Sequence, residues 1–196
     1  MTQDRVLAGV AVLGGVALGA ADFALQKLLP YPWANLANSA AAWAVAAFAL
    51  GYRVRGSAAR AAVAATVLLV IAVPSYYLTA VLVQHDDLAS MWAPASLLWM
   101  FFGVLAGIVF GIAGRWTRLP NWRGYVGVGL PGAVLFAEAA RLLRRDLAAT
   151  AAIEAVLGVL VIALAGRTWR QRAVGVAVAV PLALLGFLGY QTGGMA

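Results

Sequence analysis

The sequence contains no cysteine, one histidine and few charged residues, and each shortage excludes a class of protein. Without cysteine the chain has no disulfides, thiolate metal sites or cysteine nucleophile, and one histidine is too few for a haem held by two. The only lysine, Lys27, lies early in the chain, whereas a retinal Schiff base needs a lysine in a late apolar segment. No P-loop or GxSxG motif supports ATP hydrolysis or serine hydrolase chemistry.

The chain is instead rich in long apolar runs. Of its 196 residues 64% are hydrophobic and 11% are charged, which is the composition of a membrane protein. We predict an all-α, polytopic membrane helical bundle that forms a single domain over residues 1–196. About seven segments are long enough to cross the ~30 Å hydrocarbon core. They are residues 6–29, 34–52, 58–83, 91–114, 124–143, 148–166 and 173–190.

The fifth segment is the exception to this regular pattern. Gly127, Gly129, Pro131 and Gly132 interrupt it, and such residues weaken or bend a helix. The alternative prediction is therefore six spanning helices plus one broken or re-entrant segment.

Basic residues fall mainly in alternate connections, which predicts the orientation. Ten of the 14 Lys and Arg residues lie on one side if the N-terminus is cytoplasmic. These ten are Arg5, Arg53, Arg55, Arg60, Arg115, Arg118, Arg123, Arg167, Arg170 and Arg172. The other side keeps Lys27, Arg141, Arg144 and Arg145. We therefore predict a cytoplasmic N-terminus, and the stretch FAEAARLLRR at 136–145 is the one connection that departs from the positive-inside rule.

Polar residues within the apolar segments concentrate in the outer third of the predicted bundle. Intramembrane polar groups are costly, so their depth indicates a site. Gly15, Gly19, Asp22 and Gln26 share one helical face, which predicts a small-residue stripe that ends in a carboxylate and an amide. The predicted ligand-binding residues are Asp22, Gln26, Asn35, Asn38, Ser39, Tyr76, Tyr77, Trp99, Glu138, Arg141 and Glu154.

Each of these features also has a structural interpretation, and both stay open at this point. Glu138 and Arg141 lie one turn apart and can form a buried ion pair with no ligand. Asn35, Asn38 and Ser39 can cap the second helix. Gly103, Gly107 and Gly111 form a double GxxxG that packs helices tightly, either within the chain or against a partner protein or second copy.

Three stretches carry a resemblance to known proteins. LANSAAAW at 36–43, GIVFGIAGRW at 107–116 and FAE at 136–138 resemble a family of small, uncharacterised multipass membrane proteins common in actinobacteria. In length, alanine and glycine content and general plan, the chain also resembles the substrate-binding S components of energy-coupling-factor transporters. That second resemblance implies six spans and a ligand site near the outer face.

Three functions remain compatible with the sequence. The first is a solute-binding or transport component that binds a small anionic or zwitterionic ligand at the outer face. The second is a structural or accessory subunit of a larger membrane complex, and the third is an enzyme acting on lipid or isoprenoid head groups. We favour a non-enzymatic role, because no nucleophile or acidic metal pair lies in a span. We predict a multi-pass protein of the bacterial inner (cell) membrane whose partner is the lipid bilayer, with no cofactor, metal or nucleic acid.

Overall fold

The computed structural model describes residues 3–192, and helices make up nearly all of this range. The helices are α1 (Gln3–Leu28), α2 (Trp33–Ala37), α3 (Ala40–Arg53), α4 (Ala58–Gln84), α5 (Pro94–Trp116), α6 (Trp122–Leu143), α7 (Ala148–Ala165) and α8 (Trp169–Thr192). A 3₁₀ helix, Leu88–Trp92, precedes α5. Within the described range, six helices are long and apolar enough to cross a membrane, namely α1 and α4 to α8. The predicted helical membrane bundle is confirmed to this extent.

The second predicted segment is the one that breaks. It divides into the five-residue helix α2 and the 14-residue helix α3, with Asn38 and Ser39 between them. The Ser39 hydroxyl accepts a hydrogen bond from the Ala42 N–H at 3.3 Å, so Ser39 is the N-cap that starts α3. At 1.5 Å per residue α3 is roughly 21 Å long, shorter than the hydrocarbon core.

The fifth predicted segment is a continuous helix, so the prediction that it breaks or re-enters was wrong. α6 runs through Pro131 without interruption. Its glycines serve close packing: Gly127 lies against Ala113, and Gly129 lies against the backbone of Gly175. A side chain at either position would meet a neighbouring helix, so glycine is needed there for contact between helices.

Two groups of three long helices make up the bundle. α4 packs between α1 and α5, while α6 packs against α7 and α8. The short helix α3 lies between the groups and contacts α4, α5 and α6. The two groups also meet directly through α5 and α6. The short helix α3 therefore lies at the junction between the two halves of the bundle.

Glycine stripes determine how the first group packs. Gly15 and Gly19 of α1 lie against Leu68 and Ala72 of α4. Because both sequence numbers rise together, α1 and α4 run parallel, so the chain returns to its starting end through α2 and α3.

The double GxxxG of α5 also packs within the chain, since Gly103, Gly107 and Gly111 are buried and face α4. The stripe therefore packs helices of the same chain, and binding of a partner protein stays a prediction.

Most of the basic residues gather at one end of the bundle, which we call the arginine-rich end. Arg60, at the start of α4, pairs with Asp4 at the start of α1, with 2.7 Å between nitrogen and oxygen. Arg115 Nε donates to the Gly56 carbonyl at 2.7 Å, which brings the end of α5 to the same place. Gln171 Nε2 donates to the Thr117 carbonyl at 2.7 Å and adds the start of α8. The predicted sorting of charge between the two ends thus follows from the packing.

Candidate functional site

The predicted polar residues form two clusters at the end opposite the arginine-rich end. The first, which we call the Asp22 cluster, consists of Asp22, Gln26, Trp43 and Tyr76. Asp22 is 6% exposed, and its Oδ2 accepts a hydrogen bond from Trp43 Nε1 at 2.8 Å. Gln26 Nε2 lies 2.7 Å from the Tyr76 hydroxyl. Tyr76 also packs edge-to-face against Tyr77, with ring centroids 5.3 Å apart.

The second cluster, which we call the Glu154 cluster, consists of Ser39, Glu138, Arg141, Glu154 and Tyr190. It is built around the N-terminus of α3. Glu138 of α6 is 2% exposed, and its Oε2 accepts hydrogen bonds from the Ser39 hydroxyl at 3.0 Å and from the Ala41 N–H at 2.8 Å. A carboxylate there also lies at the positive end of the helix dipole. Glu138 therefore acts as a cap that fastens α3 to α6.

Arg141 completes the coordination of Glu138. Its guanidinium donates to Glu138 Oε1 at 3.0 Å, so the predicted ion pair is confirmed. The same guanidinium lies over the ring of Tyr190, 5.1 Å from the centroid. Arg144 lies in the same way over Phe187 at 5.9 Å. The first two of the three arginines that break the positive-inside pattern thus contact aromatic rings of α8.

Glu154 of α7 differs from Glu138 in having no hydrogen-bond partner. The residue is 1% exposed, and neither carboxyl oxygen has a hydrogen-bond partner among the described residues. It interacts electrostatically with Glu138 and Arg141. Ser39 lies close to it as well, but its hydroxyl donates to Glu138. Among the described residues, the Glu154 carboxyl group therefore lacks the hydrogen bonds that the Glu138 carboxylate has.

α3 connects the two clusters. Its Trp43 side chain contacts Asp22 in one half of the bundle, and its N-terminus contacts Glu138 in the other. The polar residues that the sequence predicts in the outer third of the bundle thus form two clusters, which one short helix connects.

Four predicted residues lie outside both clusters. One is Tyr77, whose ring packs against that of Tyr76. Trp99 is 47% exposed on the outer surface of α5, where its ring packs against Phe102 with centroids 5.9 Å apart. Asn38 is exposed in the break between α2 and α3, and Asn35 is half-buried on α2. Helical phase alone placed Trp99 on the inner face of α5. Ser96 and Gly103 do lie there and are buried, but the bulky indole lies at the edge of that face and turns outward.

Two residues that sequence reasoning did not assign to the site contribute to it. Trp43 donates to Asp22, and the signal for it was its depth, since an indole below the interfacial belt usually needs a hydrogen-bond partner. Tyr190 lies against Arg141 and interacts electrostatically with Glu138 and Glu154. Its position near a predicted interface suggested only a membrane anchor.

Two surface grooves of the bundle have no carboxyl group of either cluster in their lining. One of about 400 Å³ is purely apolar and lies between α2 and α7, where Trp33, Leu36 and Val156 are among its lining residues. The other, of about 370 Å³, lies between α1 and α4 near the Asp4–Arg60 pair. Among the described residues, no three His, Asp or Glu side chains are arranged to hold a metal ion.

Six apolar helices with charged side chains buried between them define the chain as a multi-pass, α-helical membrane protein. The chain belongs to a family of unknown function, DUF6518, whose model matches residues 2–194. The resemblance to an uncharacterised family is confirmed in this respect. No curated protein and no solved structure matches the chain.

Proposed function

We propose that this protein is a solute-binding or transport component of the bacterial cell membrane, and that the Glu154 cluster is its ligand site. The observation that carries the proposal is the Glu154 carboxyl group, which is 1% exposed and has no hydrogen-bond partner. A carboxyl group buried in apolar surroundings is costly, so a fold that retains one without a partner favours a functional use.

The proposal includes a membrane topology. α3 completes a seventh pass, because α1 and α4 run parallel and the chain must return between them. With the arginine-rich end in the cytoplasm, the N-terminus is cytoplasmic and both clusters lie in the outer half. A short helix that begins within the bundle beside a buried charge is also a feature of transporter binding sites, where helix N-termini point at anionic groups.

The unpartnered atoms favour a zwitterionic ligand over a simple anion. Glu154 offers two free acceptor oxygens, and the Nε of Arg141 is a buried donor without a partner. An ammonium group of a ligand can donate to the Glu154 oxygens, and a carboxylate of the same ligand can accept from Arg141 Nε. The N–H of Ala41, by contrast, already donates to Glu138, so an anion at the α3 N-terminus would have to displace that side chain.

A second function is favoured by a separate observation. The Glu138–Arg141 pair, the Asp22–Trp43 contact and the Gln26–Tyr76 contact all join side chains of the same chain. This is the pattern of a structural or accessory subunit whose polar groups hold its own helices together. In that case Glu154 has no ligand, and the function lies in a surface that contacts another membrane protein.

Thermal stability in detergent separates the two functions. We expect an extract of native metabolites and lipids to raise the melting temperature of the wild-type protein, because a ligand that binds only the folded state stabilises it. Glu154→Gln keeps the size of the side chain and removes its charge, so it should fold but lose that shift. The matched control, Asp86→Asn in an exposed loop, should keep the shift. Equal shifts in all three proteins, or none in any, would contradict the binding site and favour the accessory subunit.

A further inference from the structure

The charges of the Glu154 cluster do not cancel. Glu138 and Arg141 form a pair at 3.0 Å, which is neutral as a whole. An ionised Glu154 beside them would leave a net negative charge in the interior of the bundle. Neither oxygen of this carboxyl group accepts a hydrogen bond from the described residues, so no hydrogen bond offsets the loss of hydration.

The elements that pack against Glu154 supply no further cation. α7 packs mainly against α6, and more lightly against α8 and α2. The charged groups that face Glu154 from α6 are Glu138, which repels a second negative charge, and Arg141, which Glu138 already engages. α8 contributes the Tyr190 hydroxyl, and the start of α3 contributes Ser39, whose hydroxyl donates to Glu138.

We propose that Glu154 is a proton-binding site, which carries its proton beside the Glu138–Arg141 ion pair. A proton removes the net charge and needs no additional volume, whereas a metal ion needs several oxygen ligands around it. The two glutamates thus have different roles, because Glu138 accepts three hydrogen bonds and Glu154 accepts none from the described residues. The inference deepens the proposed function, on which its consequence rests: an ammonium group that reaches Glu154 would displace this proton, and one proton would leave as one cationic group binds.

Infrared difference spectroscopy on the purified protein in lipid vesicles tests the proton directly. A protonated carboxylic acid and an ionised carboxylate absorb at different frequencies. We expect the spectrum of the wild-type protein minus that of Glu154→Gln, at neutral pH, to contain the C=O band of a carboxylic acid. The control is the wild-type spectrum minus that of Glu138→Gln, which should contain carboxylate bands. Measurements are made in sodium chloride and in choline chloride.

Two results would overturn the inference. Carboxylate bands for Glu154 that are the same in both salts would show that the group is ionised, and carboxylate bands that shift with sodium would show that it binds a metal cation. Glu154→Gln resembles the protonated acid, so it should fold and allow the comparison. Since no solute is added, failure of this test leaves the solute-binding proposal to the thermal assay, and failure of the thermal assay leaves the proton site intact.

Discussion

Replacing Glu138 should release the start of α3 from α6 and destabilise the whole bundle. Its carboxylate accepts three hydrogen bonds, from the Ser39 hydroxyl at 3.0 Å, the Ala41 N–H at 2.8 Å and the Arg141 guanidinium at 3.0 Å. Glu138→Ala removes all three and leaves Arg141 without its counter-charge. The affected helix lies at the junction of the two halves of the bundle, so local loosening there should spread.

The loss of stability in Glu138→Ala has two sources, the lost hydrogen bonds and the unpaired charge of Arg141. Interhelical hydrogen bonds in membrane proteins average ~0.6 kcal/mol, so the loss of the two from Ser39 and Ala41 accounts for only about 1 kcal/mol. Removing one partner of a buried ion pair costs ~3–5 kcal/mol, because the other charge is left unpaired. The Arg141 side chain is 19% exposed, and its guanidinium lies over Tyr190; both soften that cost. We therefore expect Glu138→Ala to lower the free energy of unfolding by about 2–4 kcal/mol.

The assay is equilibrium unfolding in mixed micelles, followed by helical circular dichroism. The double variant Glu138→Gln with Arg141→Gln keeps polar side chains at both positions and leaves no charge unpaired, so it should recover much of the loss. Asp86→Asn, in an exposed loop, is the control and should unfold as the wild-type protein does. A loss below about 0.5 kcal/mol for Glu138→Ala would refute the reasoning that this carboxylate fastens α3 to α6.

Two other predictions concern packing and topology. Gly107→Ala should destabilise the bundle, since its methyl group would meet the backbone of α4. Gly103→Ala should be tolerated, because the nearest atom to its methyl group would be 3.4 Å away. Equal melting temperatures for the two variants would contradict this packing. Single cysteines at the exposed Ser57 and Thr168 should resist an impermeant thiol reagent in intact cells, while one at Ala89 should react. Labelling of the first two from outside would reverse the orientation.

Much of the bundle could be predicted from the sequence because hydrophobic length is a strong signal. Six of the predicted segments correspond to long helices in the described part of the chain. The break was harder to place, because the glycines and Pro131 of α6 look disruptive in isolation. They are tolerated since neighbouring helices come close to them. Asn38 and Ser39, by contrast, were predicted as caps of the second helix, but Asn38 ends α2 and Ser39 starts α3.

Contacts between residues close in the sequence were more predictable than contacts between distant helices. The one-turn spacing of Glu138 and Arg141 indicated their ion pair, and that pair is present. The capping of α3 by Glu138 could not be foreseen, because it joins residues 97 positions apart. The free carboxyl group of Glu154 depends on the same long-range packing. A sequence shows that a carboxylate is present, but only the arrangement of helices shows whether it has a partner.

The proposal that the Glu154 cluster is a ligand site is tested most directly by identifying the small molecules bound to the purified protein. Wild-type protein and Glu154→Gln are isolated in parallel in mild detergent and denatured, and the released compounds are quantified by mass spectrometry. We expect a compound with an ammonium group to be released from the wild-type protein and to be strongly depleted in Glu154→Gln. If both proteins are folded and release the same compounds in the same amounts, the Glu154 cluster is not a ligand site.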